Sequence, residues 1–274
     1  TDPVMTGEVF IPTAESNIAD LLESQRDRFE KVLEGSCSSL ADRGGGYRGL
    51  EIAAMSNPAG AKVSFFVDTG NAMGANIINT SAEALAEEIE KSTGFSPLMS
   101  ILTNEAQKRR AWARFALPVS SLPRGTDPGN GKAQSGEEIA QRIIVASQLA
   151  FHDARRAVTH NKGIMNGISA LALATGNDTR GIEAAVHASA VREGRYRGLG
   201  EYRIEKETLI GTIDLPLPFA VVGGGVSFHP AARAALKILG VESSTGLSRI
   251  AAALGLAQNF AALRALVSSG IQAG

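Results

Sequence analysis

Residues 159–178 read THNKGIMNGISALALATGND. The second half of that stretch, IMNGISALALA at 164–174, is apolar nearly all round rather than along one stripe, and a helix of that kind has to lie buried at the middle of its domain. The polar residues around it are therefore the ones to explain. For Asn177 and Asp178 the plain reading is helix capping, because TRGIEAAVHAS follows at 179–189 and opens with exposed amides. A lysine such as Lys162, just ahead of the apolar run, is ordinarily a solvated surface residue. Asn166 is harder to dismiss, since a carboxamide on a buried helix needs partners or costs about 1 to 3 kcal/mol. A lysine, a carboxamide and an aspartate around one buried helix would form a compact charged cluster in a dry place. Such a cluster suits stabilisation of a developing oxyanion.

Ahead of this stretch, Ile139, Ile143, Ala146 and Ala150 share one face, which predicts a helix over roughly 136–158. Behind it, ETLIGTIDLPLP (207–218) and FAVVGGG (219–225) have strand character, and the chain from His229 onwards is mostly Ala- and Leu-rich helix. The N-terminal part follows a different pattern. GEVFIP (7–12) predicts a strand, and Ile18, Leu21, Leu22, Phe29 and Leu33 fall on one face of a helix over about 14–33. YRGLEIAAM (47–55) and AKVSFFVDTG (61–70) read as a hairpin around the turn-forming SNPAG. Thr80 and Glu83 match a capping box for the next helix, whose inner face is Ala82, Leu85, Ala86 and Ile89, and PLMSILT (97–103) is a further strand. Strand, helix, strand, strand, helix, strand is the split βαβ or ferredoxin-like order. The fold class is therefore α+β. A small βαββαβ domain over 1–108 is joined to a larger, mainly helical domain over 109–274 with a central buried helix. WARFALPVS (112–120) adds one strand, and the Pro- and Gly-rich SLPRGTDPGNGKAQSG (121–136) reads as an exposed connection.

The 274 residues are 44% hydrophobic and 20% charged, enough for two compact domains. Lysine plus arginine number 27 against 28 acidic residues, so there is no basic field to recruit nucleic acid. The strands also lack the exposed aromatic pair with basic neighbours of an RNA-binding ferredoxin-like module. The single cysteine, Cys37, fits a reducing compartment and a cytoplasmic location. No apolar run approaches bilayer-spanning length, and the N-terminal residues lack the order of a signal peptide, so no membrane partner is expected. The chain opens without methionine in a strand-like stretch and stops at SSGIQAG in mid-pattern, so both ends read as cut.

A second candidate site is DTGNAMGANIINTSAE (68–83), where a strand runs through Gly70 and Gly74 into a helix. Glycine admits backbone amides to an anion and the helix start adds a favourable dipole, which suits a pyrophosphate. The spacing is neither GxGxxG nor a P-loop. Glycine triplets at 44–46 and 223–225 read as turns or close backbone crossings. His152, His160, His187 and His229 show no HExxH spacing, and no metal is expected.

Taken together, THNKGIMNG, ATGND, NAMGANIIN, GLAQNFAALRALVSSGIQ and the GTIDLPLP to VVGGG segment resemble the class II, bacterial type of 3-hydroxy-3-methylglutaryl-CoA (HMG-CoA) reductase. The similarity extends over essentially the whole chain in the right order. It implies a small ferredoxin-like cofactor domain inserted in a larger helical domain. It also implies a four-electron reductive deacylation, in which a nicotinamide cofactor reduces the HMG-CoA thioester through mevaldehyde to mevalonate and CoA. On this resemblance, Lys162 polarises the reacting oxygen and Asp178 orients the lysine and shares in proton movement. Arg156 holds the free carboxylate of the substrate, and Asn166 belongs to the same polar network. Met73, Gly74 and Asn76 contact the nucleotide, as do Asn71 and Asn104. The family architecture implies an active site at a subunit interface, hence a homodimer or a higher oligomer built of dimers.

The chain also departs from the family pattern. The resemblance puts the family's acid glutamate upstream of Thr1 and its thiolate-protonating histidine beyond SSGIQAG, and no internal residue replaces them. Asn71 stands where the cofactor loop usually reads Asp-Ala-Met-Gly. In LEGSCSSLADR (33–43), Cys37 falls where an NAD-preferring relative would carry an acid for the ribose hydroxyl. Neutral residues flanked by Lys31 and Arg43 suit a 2′-phosphate, which favours NADPH over NADH by analogy with the Rossmann rule. The competing reading, motivated by the missing groups and Asn71, is a catalytically incomplete nucleotide or acyl-CoA binding scaffold of the same fold.

Overall fold

Strand β1 (Val4–Pro12) lies inside a four-stranded antiparallel sheet of order β2-β3-β1-β4, in which β2 is Gly46–Ser56, β3 is Ala59–Asp68 and β4 is Met99–Thr103. The computed structural model describes residues 3–122, 125–127, 129 and 131–268. The 121–136 connection is thus described only in part, and the end of SSGIQAG after Ser268 lies outside the described residues. Helices α1 (Ile18–Ser24) and α2 (Arg26–Ser36) connect β1 to β2, and α3 (Ala75–Thr93) connects β3 to β4. The order is the expected βαββαβ, with β1 antiparallel to both neighbours. Val9, Phe65, Leu85 and Ile89 are fully buried between the sheet and these helices.

Two boundaries differ from the sequence pattern. The helix expected over 14–33 breaks at Gln25 into α1 and α2, yet Ile18, Leu22, Phe29 and Leu33 all stay buried, so the apolar stripe survives the break. Helix α3 begins at Ala75, because Gly74 with φ of 92° turns the chain into the helix, and Thr80 and Glu83 lie inside it rather than capping it. A capping box does form, but at the start of α4 (Gly136–His152). There Ser135 Oγ accepts the Glu138 amide at 3.2 Å and Glu138 Oε2 accepts the Ser135 amide at 2.7 Å.

The second half contains β5 (Arg110–Pro118) and two minimal hairpins. One pairs β6 (Gly125–Thr126) with β7 (Ala133–Gln134), the other β8 (Val191–Arg192) with β9 (Arg195–Tyr196). Strands β10 (Glu201–Glu205) and β11 (Thr208–Pro216) complete a three-stranded sheet of order β10-β11-β5. Helices α5 (Ala154–Ala174), α6 (Thr179–Ser189), α7 (Gly224–Phe228), α8 (Pro230–Leu239) and α9 (Ser244–Val267) accompany α4. Asp153 sets the break between α4 and α5: its carboxylate accepts the amides of Arg155 and Arg156 at 2.8 and 3.1 Å. Lys162 therefore lies in mid-helix rather than ahead of one.

Helix α5 is not buried all round. Ile164, Met165, Ile168 and Ala172 face the core, whereas Lys162, Asn166 and Leu173 are exposed. Its inner face meets α9 at close range, since a β-carbon at Gly167 would stand 2.9 Å from both Leu254 Cγ and Gln258 Cγ. By length and composition alone α9, 24 residues with a mean hydropathy of 1.5 in its most apolar window, could cross a membrane, contrary to the expectation that no run comes near that length. In this fold its Leu247, Ala251, Leu256 and Leu263 belong to the same buried core as α5.

Candidate active site

The three residues His160, Asn161 and Lys162 divide between the inside and the outside of α5. His160 and Asn161 are buried and Lys162 is exposed. Asn161 donates to the Arg197 carbonyl at 2.9 Å and accepts the Leu199 amide at 3.0 Å. His160 Nε2 lies 3.1 Å from Asn259 Nδ2, and Tyr202 donates to Asn259 Oδ1 at 2.7 Å. Asn259 is a donor to the ring, so Nε2 is the acceptor and the imidazole is neutral. Burial, and secondarily the Arg156 charge, hold its pKa down to about 4. Two anchored side chains thus fix the rotation of α5 that presents Lys162 outward. Lys162, Asn166 and Arg156 make no side-chain hydrogen bond or ion pair with another described residue, so Asn166 is not the buried carboxamide that the apolar run implied.

At the other end of α5 lies Asp178, the N-cap of α6, whose Oδ1 accepts the Gly181 amide at 3.1 Å. A β-carbon at Gly181 would stand 2.9 Å from Asp178 Oδ2 and 3.2 Å from Asn104 Oδ1, so these two polar groups are neighbours. Asp178 lines a cleft of about 510 Å³ together with Met73, Gly74, Asn76 and the Gly223–Gly225 triplet. The start of α3 opens into the same cleft, and Gly74 as N-cap offers no side chain to cover its first-turn amides. A second cleft of about 900 Å³, lined by Arg43, Asn71, Ser244 and Thr245 among others, shares Leu40, Ala72, Val222 and Gly223 with the first. Asp178 is the one carboxylate among the described residues lining either. A long opening with uncovered helix amides, an arginine and a single acid at one end fits an extended molecule carrying phosphate groups.

The walls of that opening are tied together by residues 217–221, which are not the strand their composition suggests. Their backbone partners are side chains and loops instead of a neighbouring strand. Asn177 Oδ1 accepts the Ala220 amide at 2.7 Å, and Asn177 Nδ2 donates to the Ala220 carbonyl at 3.1 Å. The Val221 amide donates to the Asn71 carbonyl at 2.9 Å, and the Phe219 carbonyl accepts from the buried guanidinium of Arg109. The Asn71 side chain is engaged elsewhere, its Oδ1 accepting the Ser244 amide at 3.0 Å where α9 begins. Within the triplet at 223–225, Gly223 and Gly224 turn the chain at positive φ and Gly225 makes a close backbone crossing, where a β-carbon would sit 3.0 Å from the Gly176 carbonyl oxygen.

The family model described as hydroxymethylglutaryl-coenzyme A reductase matches residues 1–274. The chain belongs to the hydroxymethylglutaryl-coenzyme A reductase family. It is 39% identical over 279 residues to the 3-hydroxy-3-methylglutaryl-coenzyme A reductase of Archaeoglobus fulgidus, covering 100% of this chain and 61% of that protein. With the probable reductase of Borreliella burgdorferi it shares 36% identity over 261 residues, 95% of this chain and 59% of that one. The chain thus spans about three fifths of the curated relatives it matches. The class II reductase of Streptococcus pneumoniae bound to NADPH superposes with a TM-score of 0.89 at 39% identity, covering 99% of this chain and 65% of that one.

Of the residues that the resemblance to this reductase family pointed to, the structure brings Met73, Gly74, Asn76 and Asp178 to one opening and Asn71 to the adjoining one, while Asn104 neighbours Asp178 at Gly181 without lining either. Lys162, Asn166 and Arg156 stand apart from it. Cys37 is 1% exposed, its Sγ 3.5 Å from Ser81 Oγ, and does not line either cleft. Sequence reasoning missed Arg109 altogether and treated Asn177 as a cap. A signal for Asn177 was present, since a GND turn needs only the aspartate as N-cap and leaves the asparagine without a local task.

Proposed function

We propose that this protein reduces HMG-CoA to mevalonate and free CoA with NADPH or NADH, in two hydride steps. The observation that carries the reading is the opening shared by Asp178 and the Met73–Asn76 loop, with Asn104 beside Asp178 at Gly181. Each hydride would come from its own nicotinamide cofactor, the spent one being exchanged for a second reduced molecule between the two steps. Each hydride places negative charge on the former carbonyl oxygen, and a fixed ammonium there stabilises the transition state more than the ground state. That task falls to Lys162, with Asp178 orienting it and sharing in proton movement. Arg156 binds the free carboxylate of the substrate, for which a planar guanidinium is suited, and Asn166 completes the polar network. Asn71, Met73, Gly74, Asn76 and Asn104 are assigned to the nucleotide, Asn71 through atoms other than its committed Oδ1.

Lys162 and Asp178 form no ion pair with each other, and the length of α5 separates them. From Lys162 to the end of α5 at Ala174 is 12 residues, or roughly 18 Å of helix rise. We therefore assign Lys162 to the cleft of a second copy. Val158 (57% exposed), Lys162, Asn166 and Leu173 (71% exposed) form one stripe of α5, an apolar-flanked face fit to be covered by that copy. A homodimer, or a larger assembly of dimers, follows. For the cofactor, Arg43 in the outer cleft and the lack of a carboxylate among the described residues lining it support NADPH over NADH.

The test is consumption of NADPH by the natural gene product on addition of HMG-CoA, with two NADPH oxidised per mevalonate formed. Folded protein that binds NADPH but shows no oxidation with HMG-CoA would instead be the non-catalytic binding scaffold.

A further inference from the structure

Arg109 is 4% exposed and makes no ion pair with a described residue. Asp68, whose field reaches it, is itself paired with Arg48 at 3.1 Å. A buried guanidinium without a carboxylate is unusual, because removing a charge from water is costly unless something close by compensates. Here the compensation is a fork of donors spread over two chain segments. Nη1 donates to Thr69 Oγ1 and to the Ala72 carbonyl, both at 2.9 Å, and Nη2 donates to the Phe219 carbonyl. The Arg109 carbonyl accepts the Leu217 amide at 2.9 Å. Thr69 Oγ1 donates onward to the Ala72 carbonyl at 2.9 Å, closing the loop that delivers the chain to Gly74 and α3. Phe219 is followed by Ala220 and Val221, the residues that hold Asn177 and Asn71. One buried cation thus joins the loop ahead of α3 to the segment that anchors the Asp178 turn.

We propose that Arg109 is a positioning residue for the cofactor, locking the Thr69–Met73 loop against Phe219 so that the uncovered amides of α3 face the phosphate groups at a fixed distance from Asp178. The assignment rests on the NAD(P)H reading of the cleft. Arg109 acts through the loop, and its cationic charge behind the helix start adds to the dipole that favours an anion there. A rigid fork suits the task, because a lysine supplies the charge but cannot span both segments.

The experiment titrates NADPH and, separately, HMG-CoA into the natural gene product and its Arg109→Met, Arg109→Lys and Thr69→Val variants, with melting temperatures recorded. Arg109→Met is expected to weaken NADPH about tenfold or more while HMG-CoA affinity stays within about twofold. Arg109→Lys should recover part of the loss. Wild-type NADPH affinity in Arg109→Met, or parallel weakening of both ligands, overturns the proposal. Should Arg109→Met fail to fold, Thr69→Val decides, since it keeps the shape and deletes one acceptor. NADPH binding weakened about threefold supports the proposal, and unchanged binding rejects it. A wild-type protein that binds no NADPH overturns the cofactor reading itself, a result separate from any difference among variants.

Discussion

Asn177 and Ala220 exchange two hydrogen bonds, carboxamide oxygen to amide at 2.7 Å and carboxamide nitrogen to carbonyl at 3.1 Å, as one strand residue would with another. This pairing sets where the next residue, Asp178, stands. Asn177→Asp keeps the shape and the acceptor but replaces the donor with a carboxylate facing a carbonyl. It is expected to lower kcat for HMG-CoA reduction by about 10- to 100-fold, the scale of a misplacement near 1 Å, with NADPH affinity little changed. Steady-state kinetics beside a direct NADPH titration checks this, and wild-type kcat would refute the role.

Gly74 is the second fixed point. Its φ of 92° is a conformation that side chains disfavour, and a β-carbon there would lie 2.8 Å from Thr69 Cβ and closer still to Cγ2. Gly74→Ala should therefore cost about 1 to 3 kcal/mol of stability from backbone strain alone. It should also weaken NADPH, because the loop has to shift. Thr69→Ser removes Cγ2 and keeps the hydroxyl, so it is expected to restore part of the stability in the Gly74→Ala background. Denaturant unfolding of the single and double variants measures both effects, and additive losses would exclude the contact as the cause.

The small sheet was legible because its signals are local: the β-branched and aromatic character of GEVFIP in β1, and the turn-forming SNPAG between β2 and β3. The fit of the larger part to the family was legible in strings such as THNKGIMNG. Boundaries were less so, because TSAE and SGEE look alike as capping boxes. Only the second starts a helix, the first being preceded by Gly74, which has already turned the chain. Asn166 looked buried because IMNGISALALA around it is apolar nearly all round, yet that run also contains the exposed Leu173, and an exposed apolar residue reads in one dimension like a core one. Residues 217–221 looked like a strand because nothing nearby in sequence reveals that Asn177 and Arg109 supply their hydrogen bonds. Lys162 and Asp178 are sixteen positions apart, one in the middle of α5 and the other beyond its end, a separation that the linear order does not reveal.

Acid should destabilise the protein through His160. Its pKa is held near 4 when folded against 6.5 for the free side chain. As pH falls through 6.5 the unfolded chain takes up a proton that the native state refuses until about pH 4, so stability declines across that window and the loss is complete below it. The contribution is about 3 kcal/mol. His160→Gln keeps an acceptor for Asn259 and cannot titrate, so its unfolding free energy should fall less between pH 6.5 and pH 4 than that of the parent. Parallel curves for the two proteins would show that His160 is not the group responsible.

The proposed division of the site between two copies yields a sharper prediction than loss of activity alone. Lys162 is exposed and has no hydrogen-bond or ion-pair partner among the described residues, so Lys162→Ala should leave folding nearly intact while lowering turnover by about two to three orders of magnitude or more, the scale of deleting an oxyanion partner. Asp178→Ala should also be inactive, with some loss of stability because it removes the cap on Gly181. If Lys162 of one protomer serves the cleft of the other, mixing the two inactive variants with exchange of subunits makes dimers with one site that lacks neither group. Random exchange at equal amounts would then restore about a quarter of wild-type turnover. A site contained within one protomer would leave each subunit of every mixed dimer defective, and mixing would recover nothing. Subunit exchange, followed by mass measurement of differently tagged variants, ensures that silence in the assay means a self-contained site rather than failed mixing.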